Sequence, residues 1–513
     1  MESVSSQISQ PLLNSKQKTP SYQSIDNDEI LEEECLSQWD MIKLTLCMAG
    51  LQFALSLGLS PELIALVWFA GPLSGFVIQP LVGAFSDKCT SRIGRRRPFI
   101  IIGGLLVCIS MVSIAYSKEW AAALLGKKTT IKSNDHELKN MAIIIAVAGF
   151  YCLDFSLNAV QASIRALILD IPPVYQQEAG NAWAGRMLHI GNIAGYFTGF
   201  LDLLVLFPFL GDSQLKVLCV IACIVFTLSL LYTCLNVREK VYEPVDDDSR
   251  YLPSPIQKIC NVQFFSWMGW FPFLFFSSSW IASVYARTHS IDDPDFFDKS
   301  TRYGSFALLM YSWISFLAGF IIPQLTPTSP SSKNPFTIYN IYTISHILFA
   351  LIAWSTLFVN NVEQSIFLIG SFGIPWAISM WIPFALVGEY VRQEDEIQIQ
   401  ENTEVRPLTN NDIEQEASMS LELSPTSSSA ATTLHSEDEK FASGMILGVH
   451  NLYIVLPQLV VSLTSSVIIK LINDISGADN NDAFGWVFRF GGAMSIIAAI
   501  LSRYLDKLNV YRR

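Results

Sequence analysis

Residues 141–168 read MAIIIAVAGFYCLDFSLNAVQASIRALI. As a helix this stretch rises about 42 Å, more than the roughly 30 Å of a bilayer's hydrocarbon core. It is apolar enough to cross a membrane, yet it carries Asp154, Asn158, Gln161 and Arg165. These stand at i, i+4, i+7 and i+11, and at about 100° per residue the offsets fall on one face. An ionisable group at membrane depth costs on the order of a few kcal/mol unless it is paired or hydrated. The stripe therefore has to face a bundle interior or a water-filled cavity.

The chain repeats this kind of segment. Its 513 residues are 51% hydrophobic and 15% charged, with mean hydropathy +0.37; soluble domains carry about 25% charge. Spans read at 42–59, 63–86, 99–117, 141–168, 187–207 and 215–236, then at 260–285, 304–323, 338–359, 364–388, 441–471 and 485–503. The expected fold is an all-α membrane protein, a major-facilitator-type bundle of about twelve helices in two pseudo-symmetric six-helix halves, 41–236 and 260–388 plus 441–513. The two halves flank a cytosolic interdomain loop at 237–259. Such halves rock around a site near the midplane.

Net charge −12 does not describe the membrane body. Two polar segments, 1–40 and 389–440, hold 21 of the 45 acidic residues and five of the 33 basic ones. Both are expected to be disordered, since their composition cannot bury a core. The acidic pI gives no reason to expect a nucleic-acid partner. Lys88, Arg92, Arg95, Arg96 and Arg97 crowd one short loop, and by the positive-inside rule that loop and both termini are cytosolic. The lysines at 118, 127, 128, 132 and 139 oppose this reading but are spread over a longer loop that also holds acids. The first 40 residues lack the apolar run of a cleavable leader, so the first span is expected to act as its own insertion signal. Nine cysteines are present, several of them in apolar spans, with no disulfide framework or metal-ligand spacing.

A carboxylate placed like Asp154 can take a proton on one side of a membrane and release it on the other. The structural alternative is a buried ion pair that only holds helices together. Asn158 and Gln161 favour a site, because amides can bond sugar hydroxyls. Loop 87–98 (DKCTSRIGRRRP) combines Asp87, Arg92, Gly94, Arg95, Arg96 and Arg97. Asp87 can cap a helix, Gly94 permits a tight return, and the arginines can bond carboxylates or helix-end carbonyls across the bundle. A plain positive-inside anchor would explain the arginines but not Asp87 and Gly94. The motif is expected to gate rather than to touch substrate.

Several stretches together resemble the sucrose–proton symporters, a family of glycoside–cation symporters within the major facilitator superfamily: Trp68–Pro98, Asp154–Asp170, Gln263–Trp280, Gly373–Gly388 and Gly444–Gln458. The likeness is closer to the fungal and animal-type branch than to the plant one. It implies that Asp154 binds the proton and that Arg165 is its partner at the sugar. Further candidates for substrate contact are Gln52, Trp68, Asn158, Gln161, Trp280, Trp376, His450 and Asn451. The tryptophans are also suited to packing or to the interface, and His450 and Asn451 to interhelical hydrogen bonds. Gly191, Gly195 and Gly199 recur every four residues, which suits close helix packing. Asp202 and Arg489 lie near span ends and are expected at the interface.

Two departures from the family stand out. The acidic residue expected near Ala282–Ser283 is absent, and the first span is short, as though roughly a dozen residues were missing after Gln52-Phe53. The expected function is proton-coupled symport of sucrose or a related α-glucoside such as maltose, and the alternative is a nontransporting sugar sensor or inactive variant. No nucleotide loop or nucleophile–base pair suggests an enzyme. The expected partners are a small sugar, protons and the bilayer, with the proton as coupling ion, no other cofactor, and a monomeric state. The plasma membrane is the expected site; the Leu12-Leu13 pair leaves the vacuolar membrane open.

Overall fold

Among the described residues, twelve principal helices follow one another. They are α1 (Gln38–Leu55), α2 (Ala70–Asp87), α3 (Arg97–Ala115), α4 (His136–Asp170), α5 (Gln177–Phe200) and α6 (Gln214–Asn236), then α7 (Ser254–Ala286), α8 (Phe296–Ile321) and α9 (Ile338–Trp354). The tenth, α10, is built of three segments, Val362–Ser371, Gly373–Ser379 and Ile382–Glu404; α11 is Ser443–Ser476 and α12 is Ala483–Ser502. The computed structural model describes residues 35–55, 70–126, 136–201, 203–239, 253–287, 289, 296–326, 335–404, 443–476 and 482–505. The described residues from Leu36 onward form one compact unit.

Local sequence sets several of these boundaries. Pro98 stands in the first turn of α3, where a missing amide proton costs nothing. Ser213, Thr337 and Asn361 cap α6, α9 and α10 by accepting the amides of Lys216, Asn340 and Gln364. In α10, Pro375 and Pro383 fall in the first turns of the second and third segments, so each break coincides with a residue that cannot donate backward. Pro80, Pro272 and Pro457 lie inside α2, α7 and α11.

Among the described residues, nine helices are long and apolar enough to cross a membrane. Helices α1, α2 and α5 fall outside that set, and they carry polar residues such as Gln52, Gln79, Arg186, His189 and Asn192. Lipid-facing surface is plain on α3, where Ile102 and Leu105 are 61% and 63% exposed. The fold is thus an integral membrane bundle.

Within the first half α1 packs on α5 and α6, and α3 on α4; within the second, α12 packs on α7 and α9. Helices α2 with α11, and α5 with α8 and α10, join the halves. Gly191 lets α5 approach α1, since a Cβ there would stand 2.4 Å from the Ala49 carbonyl oxygen.

Several boundaries differ from the sequence expectation. The acidic insert was expected to be disordered from 389, but α10 runs on to Glu404. Residues 389–404 contain no Gly or Pro and are rich in Glu, Gln and Ile, so nothing in them stops a helix. Helix α1 begins at Gln38, inside the expected tail, and α7 at Ser254, inside the expected interdomain loop. A helix at Ser117–Leu125 occupies part of the loop read at 118–140. The rest of those segments, the short turn after the first span, Trp68 and Asp202 lie outside the described residues. No disulfide joins any two cysteines among the described residues.

Candidate functional site

A cavity of about 320 Å³ lies between the two halves. The first half contributes Gln52, Gln79, Gln161 and Arg165, and the second Trp267, Trp376, Phe384, His450 and Asn451. Arg165 is buried, and its guanidinium lies 3.8 Å over the Phe384 ring, whose centroid is 5.2 Å from that of His450. Its Nη1 makes no hydrogen bond, and no carboxylate pairs with it among the described residues. A cation so placed offers unspent donors to whatever fills the cavity. His450 Nε2 is 3.4 Å from Gln263 Nε2, while Tyr342 donates to Gln263 Oε1 at 3.1 Å.

The polar stripe on α4 meets partners on α2. Ser74 Oγ donates to Asp154 Oδ2, and Asn158 Nδ2 donates to Ser74 Oγ at 2.8 Å. Gln79 Nε2 donates to Asn158 Oδ1 at 2.8 Å and to Gln161 Oε1 at 3.2 Å. The result is a ladder of hydrogen bonds from Asp154 to Gln161. Asp154 itself borders a second, smaller cavity of about 190 Å³ walled by Leu55, Met111, Ile114, Phe150, Leu157 and Cys219 among others. Asp154 and Arg165 therefore do not pair; they stand eleven residues apart and border different cavities.

The loop of residues 88–96 is latched to both halves through Arg96, which is fully buried. Its Nη2 donates to Asp87 Oδ1 at 2.5 Å and Ser443 Oγ at 2.9 Å, its Nε to Asp170 Oδ2 at 2.8 Å, and its Nη1 to Ser86 Oγ. Burial works against the charge of this guanidinium, but Asp170 and then Asp87 outweigh it and raise its pKa above the ordinary arginine value. Asp87 also accepts the backbone N–H groups of Gly444 (3.1 Å) and Met445 (2.8 Å), so it caps α11 of the opposite half. Arg95 pairs with Asp170 at 2.7 Å, and Ser443 Oγ donates to Asp170 Oδ1 at 2.6 Å. Glu239 accepts the amides of Arg96 and Arg97, and its Oε1 lies 3.6 Å from Arg97 Nε. Gly94 adopts φ +116°, and a Cβ there would meet Glu239 Oε1 at 2.5 Å. Arg92 is exposed and makes no ion pair among the described residues.

The structure brings Gln52, Gln161, Arg165, Trp376, His450 and Asn451 to the cavity, while Asn158 bonds Gln79 and does not line it. Gln52 donates to Asn192 at 2.8 Å and Asn451 to the Gly75 carbonyl at 2.9 Å. Trp376 is buried with its Nε1 unbonded, its ring centroid 4.8 Å from that of Trp270. Trp280 is placed elsewhere. It is fully buried, edge-on to Phe488, in the packing of α7 against α12, and does not border the cavity. Arg489, read as interfacial, is buried and paired with Asp482. Ser74, Gln79, Trp267, Gln263 and Phe384 were missed: Ser74 and Gln79 stand five residues apart, about 140° around a helix, and make no stripe.

Comparison with known proteins gives the same picture. A family model described as MFS/sugar transport protein matches residues 52–262. The general alpha-glucoside permease of Schizosaccharomyces pombe is 29% identical over 90% of this chain and 90% of its own. Sucrose transport protein SUT1 of Oryza sativa subsp. japonica is 29% identical over 65% of this chain and 70% of its own. Among solved structures, the proton–xylose symporter XylE has a TM-score of 0.52 at 13% identity, covering 91% of this chain and 95% of its own. A bacterial homologue of the iron transporter ferroportin, in its outward-facing state, reaches 0.56 at 10% identity over 91% and 98%. At such identities the likeness is one of fold alone. The chain shares its fold with these solved transporters. In sequence the chain is similar to sugar transporters, over 90% of its length in the case of the alpha-glucoside permease.

Proposed function

We propose that this chain moves sucrose or a related α-glucoside together with protons by alternating access. The observation that carries the reading is the cavity between the halves, where an uncompensated Arg165, the amides of Gln52, Gln79 and Gln161, and the rings of Trp267 and Trp376 converge. Its volume falls among small-molecule sites of about 300–1,000 Å³. Amides and a guanidinium supply donors and acceptors for hydroxyls, and the indoles supply flat apolar faces for sugar rings. Asp154 takes the coupling proton in its own pocket, and Arg165 holds the sugar. No cofactor other than the proton is needed for this cycle.

With loop 87–98 on the cytosolic side, the Arg96 latch closes the inner gate. Uptake from outside then requires Asp87, Asp170 and Ser443 to part. The plasma membrane and a monomeric state complete the proposal.

A second reading, a sugar sensor that binds without transporting, is favoured by the absent carboxylate at Ala282–Ser283 and the short first span. Uptake of labelled sucrose and maltose into sugar-transport-deficient cells, at two external pH values, separates the two. Saturable uptake that rises at the more acidic pH supports symport. Sugar binding by the purified protein without uptake supports the sensor.

A further inference from the structure

Ser74 on α2 faces two acceptors with one hydrogen. Its Oγ lies within bonding distance of Asp154 Oδ2 and, at 3.0 Å, of the Gly71 carbonyl oxygen, and a serine hydroxyl donates once while accepting twice. It also accepts from Asn158 Nδ2. The state of Asp154 decides between the two acceptors. An ionised carboxylate can only accept, so Ser74 donates to it. Once protonated, Asp154 can donate to Ser74 Oγ, whose own hydrogen then turns to Gly71. Both arrangements give the Ser74 hydrogen an acceptor and its oxygen a donor, and they differ by one proton.

The amides beyond Ser74 have no such choice. Asn158 Nδ2 also donates to the Asp154 backbone carbonyl at 3.0 Å, and a carbonyl only accepts, so the amide is fixed. Asn158 Oδ1 must then accept from Gln79 Nε2, whose second hydrogen goes to Gln161 Oε1. This leaves Gln79 its Oε1 and Gln161 its Nε2, both on residues that border the 320 Å³ cavity. An acceptor beside a donor complements two neighbouring hydroxyls of a sugar ring.

We propose that Gln79 is a sugar-binding residue that works beside Gln161 on vicinal hydroxyls, and that Ser74 is the positioning residue through which Asp154 communicates with this pair. The proposal rests on the proton–sugar symport reading above. While Ser74 donates to a carboxylate its oxygen is a stronger acceptor for Asn158, and chains of hydrogen bonds polarise one another. Proton uptake at Asp154 therefore changes how firmly the Gln79–Gln161 pair is held. Few other groups compete for this role. Of the residues walling the Asp154 pocket from α1, α3 and α6, only Cys219 is titratable. Lys216 on α6 is engaged by Glu119 and Asp212, Asp87 lies at the far end of α2, and His450 on α11 borders the other cavity.

The test compares wild type, Ser74→Ala, Ser74→Thr and Gln79→Ala for sugar uptake across a pH series, and for sugar binding by the purified full chain. Ser74→Ala is expected to flatten the pH dependence of the apparent KM, and Ser74→Thr to restore it by returning the hydroxyl. Gln79→Ala is expected to weaken sugar binding on the order of tenfold, as for one or two lost hydrogen bonds. A wild-type pH profile in Ser74→Ala, or wild-type affinity in Gln79→Ala, overturns the proposal. Loss of the profile in Ser74→Thr as well also overturns it, because a hydroxyl would then not suffice. If the wild type itself lacks pH-dependent uptake, the symport reading fails. The binding arm still decides the role of Gln79.

Discussion

Asp87 and Met445 belong to opposite halves of the bundle, yet the Asp87 carboxylate accepts the Met445 amide at 2.8 Å and so holds the start of α11 against the end of α2. The same carboxylate bonds Arg96, which in turn bonds Asp170 at the end of α4. One arginine thus ties the end of α4 to a cap on α11. Opening this face has to break charge-assisted bonds together rather than one at a time.

Replacing Arg96 with lysine keeps the charge and loses the planar fork that reaches several partners at once. Each lost charge-assisted bond is worth about 1.5–3 kcal/mol, so the loss should be on the order of 3 kcal/mol. Thermal unfolding of the purified variant is expected to show a clear drop in midpoint. An unchanged midpoint would mean that the latch does not stabilise this state.

Gly94→Ala should be damaging out of proportion to its size. Its φ of +116° strains any residue with a Cβ, and the added methyl would run into the Glu239 carboxylate that accepts the Arg96 and Arg97 amides. A cost of about 1–3 kcal/mol is expected. The same thermal measurement checks it, with Arg92→Ala as a neighbouring control on an exposed side chain expected to leave the midpoint where it was.

Asp154→Asn should abolish proton-driven accumulation while leaving exchange of sugar across the membrane. Asparagine can still accept from Ser74 but cannot trade a proton. Accumulation against a gradient with normal pH dependence would remove Asp154 from the coupling step. Arg165→Lys is expected to raise the apparent KM by tenfold or more, from the loss of at least one bond worth about 1.5–3 kcal/mol and of the stacking on Phe384.

Tags inserted within 118–140 should be reached from outside intact cells, and tags within 389–440 should not. This outcome is expected if the arginines of loop 87–98 act as the inside signal. The opposite pattern would make the five lysines of 118–140 the inside signal.

Helical periodicity made part of this molecule legible in its sequence. The stripe Asp154, Asn158, Gln161 and Arg165 was readable because one face of one helix carries it. Its partners were not, since Ser74 and Gln79 are split around α2 and become neighbours only when α2 packs on α4. Phe384 under Arg165 comes from a helix more than 200 residues away, and Asp170 and Ser443 reach Arg96 from 74 and 347 residues away. Trp280 misled because a tryptophan beside a motif looks the same whether it faces a cavity or Phe488. The extension of α10 to Glu404 was hidden by polarity, which excludes a membrane span but not a helix.

Proton-coupled sugar movement is tested most directly with the purified 513-residue chain in proteoliposomes, given an inward proton gradient and labelled sucrose or maltose. The account predicts that sugar accumulates above its external concentration, that a protonophore collapses the accumulation, and that added sugar speeds proton entry. Sugar that merely equilibrates, at a rate indifferent to the gradient, would contradict it.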